Sequence, residues 1–542
     1  MPAMPVMIIA AWALLVATAL ALRPILPVDE TRYVSVAWEM WLRGDFLVPH
    51  LNGAPYSQKP PLLFWLFQLG WWLFGVGEWW PRVVPALFAL ANLGLTARLA
   101  RRLWPERPEI ARAAPAVLLG FLLWSVYTTL MMFDMLVAFC VLLALLGLEA
   151  AWRRGGPAGI PAWLQVGGAL GLGILAKGPV VLLIPLFVAL LAPWWGREAQ
   201  HAGTRRAVVP ALWWPRLLGG IGAVALTAAI ALAWTLPAAG AGGPDYANAI
   251  LVSQTEERVI HSHAHNRPGW WYLALLPALL YPYSAWPPLW KALLRTRTID
   301  PGARFCLAWL VPGLIAFSLI SSKQPHYLLP LMPAFALLVS WLLTAPGVTV
   351  RRWHVGFAVA GLLLVGGLVA AAPLLHGRPG LPGWVEAISP GAGAALLALG
   401  VALFLAYDRL FARRAAGPTL IALSLVLGAH LAFSEAARKA YGLEPIARYL
   451  SVAESEGRPI AYVGDYHGQF HFLGRLRRPI EEIARGSESL WVRNHPRGKV
   501  IQELRYIPPD VGRPDFTQPY RDDVLAVWSL ESILGPPGSP GP

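Results

Sequence analysis

The residues able to do chemistry in this chain sit in short polar segments between long apolar runs. The first segments are Asp29-Glu30-Thr31-Arg32-Tyr33, Gly44-Asp45 and Tyr56-Ser57-Gln58-Lys59-Pro60-Pro61. Asp134 and Lys177-Gly178-Pro179 stand at two later turns. A loop at 238–269 carries Asp245, Tyr246, Glu256, Glu257, Arg258, His261, His263, His265 and Arg267. The last segment is Ser321-Ser322-Lys323-Gln324-Pro325-His326-Tyr327. Lys59, Arg32, Arg258 and Lys323 are cations suited to a phosphate. Asp29 is a carboxylate that can accept or orient a proton. A phosphate held by cations beside a carboxylate suits group transfer from a lipid-phosphate carrier, because preformed cations stabilise the charge that develops on the leaving phosphate. Each segment also has a plain structural reading. Asp29-Glu30 reads as a solvated pair, Lys59 as a snorkelling lysine before a proline-started helix, and Asp134 as a helix cap. Lys177 reads as the anchor of a short hairpin.

The elements that position these residues are membrane spans. The chain of 542 residues is 56% hydrophobic and 14% charged, where soluble domains carry about a quarter charged residues. Its mean hydropathy is +0.52, and its 27 Trp suit a lipid–water boundary. A span needs roughly 17–25 apolar residues. Thirteen runs qualify: 5–22, 83–100, 113–130, 131–150, 162–176, 178–195, 217–237, 271–290, 305–320, 327–344, 354–373, 389–406 and 418–434. The run Pro5–Leu22 lacks Lys and Arg before it and reads as a retained first span rather than a cleaved signal. The net charge of +14 does not point to nucleic acid, because most of the arginines lie in short loops between spans. The two cysteines, Cys140 and Cys306, fall inside apolar runs and imply neither a disulfide nor a zinc framework.

Charge then orients the spans. Loops 98–112, 152–154, 197–216, 291–304, 351–352 and 409–414 hold twenty Arg and Lys, against ten in the intervening stretches. The positive-inside rule places the first set in the cytoplasm. Only one of the runs 62–75 and 83–100 can then cross, so the shorter run reads as an interfacial or re-entrant helix. Every polar segment named above falls on the opposite, outer face. Ionisable groups at membrane depth are functional suspects, and a one-sided cluster differs from the midplane sites and repeats of transporters. The organisation expected is a transmembrane domain over 1–434, with outer loops at 23–82 and 238–270. A small outer α/β domain follows over 435–542, with strands near 459–463 and 523–528 and helical patterning over 438–456. Its last residues, GPPGSPGP, read as disordered.

At these residues the sequence resembles a known family. The segment PVDETRYVSVAWEMWLRGDFLVPHLNGAPYSQKPPLLFWL is similar to the first periplasmic loop of the lipid A aminoarabinose transferases. These are polyprenyl-phosphate-dependent glycosyltransferases of the GT-C class, which also includes the protein mannosyltransferases. FDML at 133–136, LAKGP at 175–179, HNRPGWWY at 265–272 and SSKQPHYLLPLMP at 321–333 extend the likeness over roughly residues 10–345. The resemblance implies an all-α GT-C fold of about thirteen spans with an external C-terminal domain. It implies Asp29 as catalytic carboxylate and Asp134 as a second acidic residue. It implies Lys59 and Tyr56 at the donor phosphate and Arg258 lining the same cavity; Arg32, Arg258 and Lys323 are the further cations expected to bind the donor phosphate. Glu30, Tyr33, His265, His326 and Tyr327 would line the cavity.

The family carries a glutamate before Lys-Pro-Pro that can bind zinc with a loop histidine. Here the histidine matches His265, but the other position is Gln58, a poor zinc ligand. No metal or other cofactor is therefore expected. The expected reaction is transfer of a sugar, with inversion, from undecaprenyl phosphate to a periplasmic acceptor, the best single choice being 4-amino-4-deoxy-L-arabinose to a lipid A phosphate. The expected setting is a bacterial inner membrane, with the N-terminus cytoplasmic and the active site and tail periplasmic. A sister enzyme using another sugar or acceptor, or a lipid-linked sugar transporter, are the alternatives.

Overall fold

The computed structural model describes residues 3–154, 156–196, 213–253, 266–378, 381–407, 417–507 and 512–534. Helix α1 (Ala3–Leu22) is apolar on every side and carries no charge. Such a helix is stable only where lipid or protein surrounds it. α2 (Asp29–Arg43) and α3 (Leu62–Phe74) follow, with the two-residue strands β1 (His50–Leu51) and β2 (Ala54–Pro55) paired antiparallel between them. α4 (Trp79–Leu103) ends on Arg101 and Arg102. α5 (Pro108–Leu119) and α6 (Leu122–Thr128) meet at 66°. The break has a local cause. Phe121 is extended (φ −77°, ψ 130°), and the freed amide of Leu122 donates to the carbonyl of Tyr281 at 3.0 Å. A Cβ on Gly120 would meet the Thr419 backbone at 2.9 Å, so only glycine lets the later helix Gly417–Tyr441 close on this bend. α7 (Asp134–Arg154), α8 (Ile160–Lys177) and α9 (Leu183–Leu190) complete the first half.

Among the described residues nine helices are long and apolar enough to cross a membrane, or ten if the α5–α6 pair counts as one span. All thirteen expected runs contain helix, but not all as single long rods. Residues 271–290 divide into Trp271–Leu279 and Pro287–Arg295, separated by Pro282 and a 3-10 turn, since proline cannot continue the backbone ladder. The runs at 178–195 and 389–406 form shorter apolar helices, Pro179–Leu190 and Pro390–Leu405. α3 is short as expected, with Leu69, Trp72, Leu73 and Phe74 exposed. That composition suits the lipid–water boundary.

α7 separates two faces. Its first residue, Asp134, meets Lys177 at the end of α8. Near its last turn, Glu149 pairs with Arg102 at the end of α4 and with Arg153. At ~1.5 Å per residue the two ends lie about 30 Å apart, so the arginine-rich end and the Asp134 end sit on opposite sides of the bundle.

The tail is the α/β unit expected. Helix Glu444–Ser455 packs on a five-stranded sheet of β3 (Ile460–Val463), β4 (Glu481–Ile483), β5 (Lys499–Leu504), β6 (Phe516–Tyr520) and β7 (Asp523–Trp528), in the order β4-β3-β5-β7-β6. β3 is parallel to β4 and β5, and β7 is antiparallel to β5 and β6. The segment 468–480 seats this unit on the first loop. Ser35 Oγ donates to the Gly468 carbonyl at 2.5 Å, and Trp38 Nε1 donates to the Leu476 carbonyl at 2.9 Å. Asn52 exchanges two 2.8 Å bonds with the Ile480 backbone. Phe472 stacks on Trp71 with centroids 5.3 Å apart and planes 7° apart. Gly468 has φ +78°, and a Cβ there would lie 2.5 Å from Leu51 Cδ1, so the docking turn needs glycine.

Candidate active site

The site is built from the N-terminus of α2, the stretch 56–61, the start of α7, the end of α8 and the turn 325–327. α2 opens on Asp29 and Glu30, two acids in the first turn where the helix dipole favours negative charge. The two point to different tasks. Glu30 is 2% exposed. It accepts from Arg23 at 2.5 and 3.0 Å, from the Leu26 amide at 2.8 Å and from the Met131 amide at 2.7 Å. Arg23 also reaches the Thr129 carbonyl at 2.7 Å. The pair is thus a strut between the turn before α2 and the turn before α7, and Glu30 faces the protein interior rather than a cavity. Asp29 is exposed.

Tyr33 lies one turn beyond Asp29 on the same helix face. Its hydroxyl stands 3.5 Å from Asp29 Oδ1. Burial first, then the negative charges of Asp29 and Asp134 with Tyr56, push the Tyr33 pKa well above the usual tyrosine value. The phenol therefore stays protonated and remains a donor. Edge contacts run from Tyr33 to Phe133 (4.9 Å), from Phe133 to Phe64 (5.6 Å) and from Phe64 to Tyr56 (6.3 Å). This aromatic chain holds α2, α3 and the α7 start in one register. The Tyr56 amide donates to the Pro49 carbonyl at 2.7 Å, and Pro60 biases Lys59 to an extended backbone before α3 begins. Arg32 Nη1 donates to the side-chain oxygen of Gln58 at 3.3 Å.

Asp134 is 2% exposed and accepts from Lys177 Nζ at 2.5 Å. Lys177 Nζ also lies 4.9 Å from the Tyr327 ring centre. His326 meets Tyr327 edge-on at 4.7 Å and Tyr127 at 5.7 Å. Asp134, Lys177, Asp29 and Lys59 all act electrostatically on His326, and Lys59 does so on Asp134. Asp29, Asp134, Tyr33, Tyr56, Lys59, His326 and Tyr327 therefore lie in one group. Lys177 joins them. Its reading as a hairpin anchor was incomplete, because the antiparallel packing of α7 and α8 brings the last residue of one beside the first of the other. Arg23 was also missed, since it sits at the end of an apolar run with nothing local to mark it.

Lys323 is placed otherwise. It is 3% exposed and donates to the Arg267 carbonyl at 2.8 Å and the Ile320 carbonyl at 2.5 Å. With Tyr272 bonded to the Gln324 carbonyl at 3.0 Å, it ties the 320–324 turn to the 266–272 segment. Arg258 and His265, with Glu256, Glu257, His261 and His263, lie outside the described residues. The side-chain oxygen of Gln58 faces the Arg32 guanidinium, and His265, the histidine paired with this position in the sequence, lies outside the described residues.

Asp29 and Asp134 bring two negative charges, and Arg32, Lys59 and Lys177 bring three positive ones. With Lys177 paired to Asp134, the surplus cation suits one phosphodiester charge.

The chain as a whole is similar to known proteins. The family model described as dolichyl-phosphate-mannose-protein mannosyltransferase matches residues 58–214. An undecaprenyl phosphate-alpha-4-amino-4-deoxy-L-arabinose arabinosyl transferase of Pseudomonas aeruginosa (strain UCBPP-PA14) is 32% identical over 361 residues, 64% of this chain and 61% of the relative. One from Pseudomonas fluorescens (strain ATCC BAA-477) is 32% identical over 370 residues, 66% of this chain and 62% of the relative. The chain thus matches about three fifths of the length of these relatives. The crystal structure of ArnT from Cupriavidus metallidurans in the apo state superposes with a TM-score of 0.74 at 21% identity, covering 98% of both chains. The structure of that protein bound to undecaprenyl phosphate gives 0.70, covering 96% of this chain and 97% of the other. The chain is a multi-pass membrane protein of GT-C fold that resembles the undecaprenyl-phosphate aminoarabinose transferases.

Proposed function

We propose that this protein is a glycosyltransferase that takes a sugar from a polyprenyl-phosphate carrier and passes it, with inversion, to an acceptor outside the cytoplasm. The sugar and acceptor we favour are 4-amino-4-deoxy-L-arabinose and a lipid A phosphate, with the carrier undecaprenyl phosphate. The setting is a bacterial inner membrane, with the N-terminus cytoplasmic and the site and tail periplasmic. The observation that carries the reading is the one-sided group of Asp29, Lys59, Tyr33 and the Asp134–Lys177 pair, about 30 Å from the arginine-rich face. The two Pseudomonas relatives, named as undecaprenyl phosphate-alpha-4-amino-4-deoxy-L-arabinose arabinosyl transferases, support the donor and the sugar.

In this mechanism the bond from the sugar's anomeric carbon to the carrier phosphate breaks, and its electron pair leaves on that phosphate. Lys59 and Arg32 stabilise the leaving charge. Tyr33, kept protonated, donates a hydrogen bond beside Asp29. The acceptor oxygen forms the new bond from the opposite face. A phosphate acceptor is already an anion, so Asp29 then orients the donor and need take no proton. A hydroxyl acceptor would give its proton to Asp29. No metal enters the proposal, given the Gln58–Arg32 contact.

The residue at position 58 favours one second reading. Gln58 stands where the resembled family has glutamate, which fits a sister enzyme with another sugar or acceptor. Mass spectrometry of lipid A and membrane glycolipids, with and without the gene, separates the two. An aminoarabinose mass lost from lipid A supports the first reading. Unchanged lipid A with a different glycolipid lost supports the second. No change in either lipid pool refutes both.

A further inference from the structure

A second feature lies at the far end of α2 from Asp29. A cavity of about 340 Å³ opens between the last turns of α2 and residues 471–479 of the tail. Its walls include Trp38, Glu39 and Arg43 on one side and Arg477, Arg478 and Pro479 on the other. Small-ligand sites run from roughly 300 to 1,000 Å³, so the space suits a compact ligand. Residues 38–43 lie about 14–21 Å along the helix from Asp29, which separates this cavity from the site described above.

Its charges are unequal. Arg43 is held by Glu39, whose Oε1 accepts from Nε at 3.0 Å and Nη2 at 2.7 Å and also from the Gly53 amide at 2.9 Å. Arg477 and Arg478 are different. Their main-chain amides donate to the Glu454 carboxylate at 2.9 and 2.7 Å. Among the described residues, neither guanidinium has a carboxylate within ion-pair distance. His471 also lines the cavity. It contacts the Arg478 carbonyl at 3.2 Å, and burial holds its pKa below the usual histidine value, so the cavity's positive charge comes from its arginines. Adjacent arginines on a loop are ordinarily just solvated. Here both are exposed and line a walled space whose other side includes Trp38 and Leu42, and forked guanidinium donors match a phosphate's oxygens.

We propose that this cavity binds a small phosphate ester, with Arg477 and Arg478 holding the oxyanion and the Trp38 side of the cavity taking the group it is attached to. The group can come from a soluble sugar phosphate or from the headgroup of an anionic lipid. The test uses the full-length protein in phosphatidylcholine nanodiscs, with phenylglyoxal modification of arginines mapped by mass spectrometry. Glucosamine 6-phosphate should slow modification of Arg477 and Arg478 several-fold while leaving exposed Arg378 unchanged. Replacement of Arg477 by alanine should reduce the protection at Arg478. Protection by glucosamine 6-phosphate or inorganic phosphate assigns a soluble source. Protection only in nanodiscs containing phosphatidylglycerol assigns a lipid headgroup. Equal protection by uncharged glucose, or none from any anion, overturns the proposal. Since the readout is local to these arginines, it is independent of whether sugar transfer occurs.

Discussion

Replacing Glu30 by glutamine separates a structural strut from a substrate ligand. In the structure both carboxylate oxygens are occupied, two bonds coming from the Arg23 guanidinium and two from main-chain amides. A glutamine amide presents a donor where one of those oxygens was, so donor faces donor and Arg23 keeps its charge with little compensation. Both side chains are over nine-tenths buried, and breaking a buried pair from one side costs about 3–5 kcal/mol. Removing both charges in Arg23→Met/Glu30→Met should recover part of that loss. The amides of Leu26 and Met131 stay unpartnered, at about 1–3 kcal/mol each. A double-mutant cycle of Arg23→Met, Glu30→Met and the double variant should therefore give a coupling of roughly 1–3 kcal/mol. The assay is unfolding of the purified protein in mixed detergent, followed by tryptophan fluorescence, with transfer kinetics on the same samples. Because the strut sets the turns that carry Asp29 and Asp134, kcat should fall roughly 10–100-fold, as small misplacements of reacting groups do, while the donor KM changes little. Unchanged stability with a raised donor KM would refute the strut and restore Glu30 as a substrate contact.

Other outcomes follow from the same structure. Lys59→Ala should lower the transfer rate by about 10²–10³, the usual loss for one preformed charge stabiliser; initial rates with a labelled lipid-linked sugar check this, and an unchanged rate contradicts its place at the phosphate. Phe472→Ala removes the stack on Trp71 and the Arg475 contact at 3.9 Å. It should cost about 3–5 kcal/mol at this buried aromatic, seen as faster protease nicking within 465–480 of the folded chain; equal resistance contradicts the docking role. The docked segment should also loosen in acid. Burial holds His471 below the ordinary value of 6.5, so the folded state binds fewer protons than the unfolded one. That stability is present above pH ~6.5 and declines as pH falls through and below it. Protection factors for hydrogen exchange over 466–480, taken relative to the intrinsic exchange rate at each pH, should fall between pH 7 and pH 5, and constant protection contradicts the assignment.

Much of this architecture is legible in the sequence because the bilayer imposes one strong rule, apolar length, and the loop arginines supply a second. Together they place the helices, and they put Asp29, Lys59, Asp134, His326 and Tyr327 on one side. What is not legible depends on which helices are neighbours. Lys177 and Asp134 are 43 residues apart, and only the pairing of α7 with α8 makes them a salt bridge. Glu30 and Asp29 are adjacent in sequence, yet one faces the protein and the other the site, because a helix turns ~100° per residue. Lys323 has the residue type for a phosphate, but the backbone carbonyls around it set a different task. The division of 271–290 follows from Pro282 and Pro287, which composition alone did not weigh against an otherwise apolar run.

The most direct test of the central claim is transfer by the purified full-length protein and its Asp29→Asn variant, in nanodiscs with undecaprenyl-phosphate-linked aminoarabinose and lipid A. Mass spectrometry would follow both the released carrier phosphate and the modified lipid A. The wild-type chain should release carrier and add the sugar mass to lipid A in equal amounts, whereas the variant should still bind the donor but lose transfer. Full transfer by the variant would contradict the role given to Asp29, and no transfer by the wild-type chain to lipid A or any other acceptor would contradict the proposed function itself.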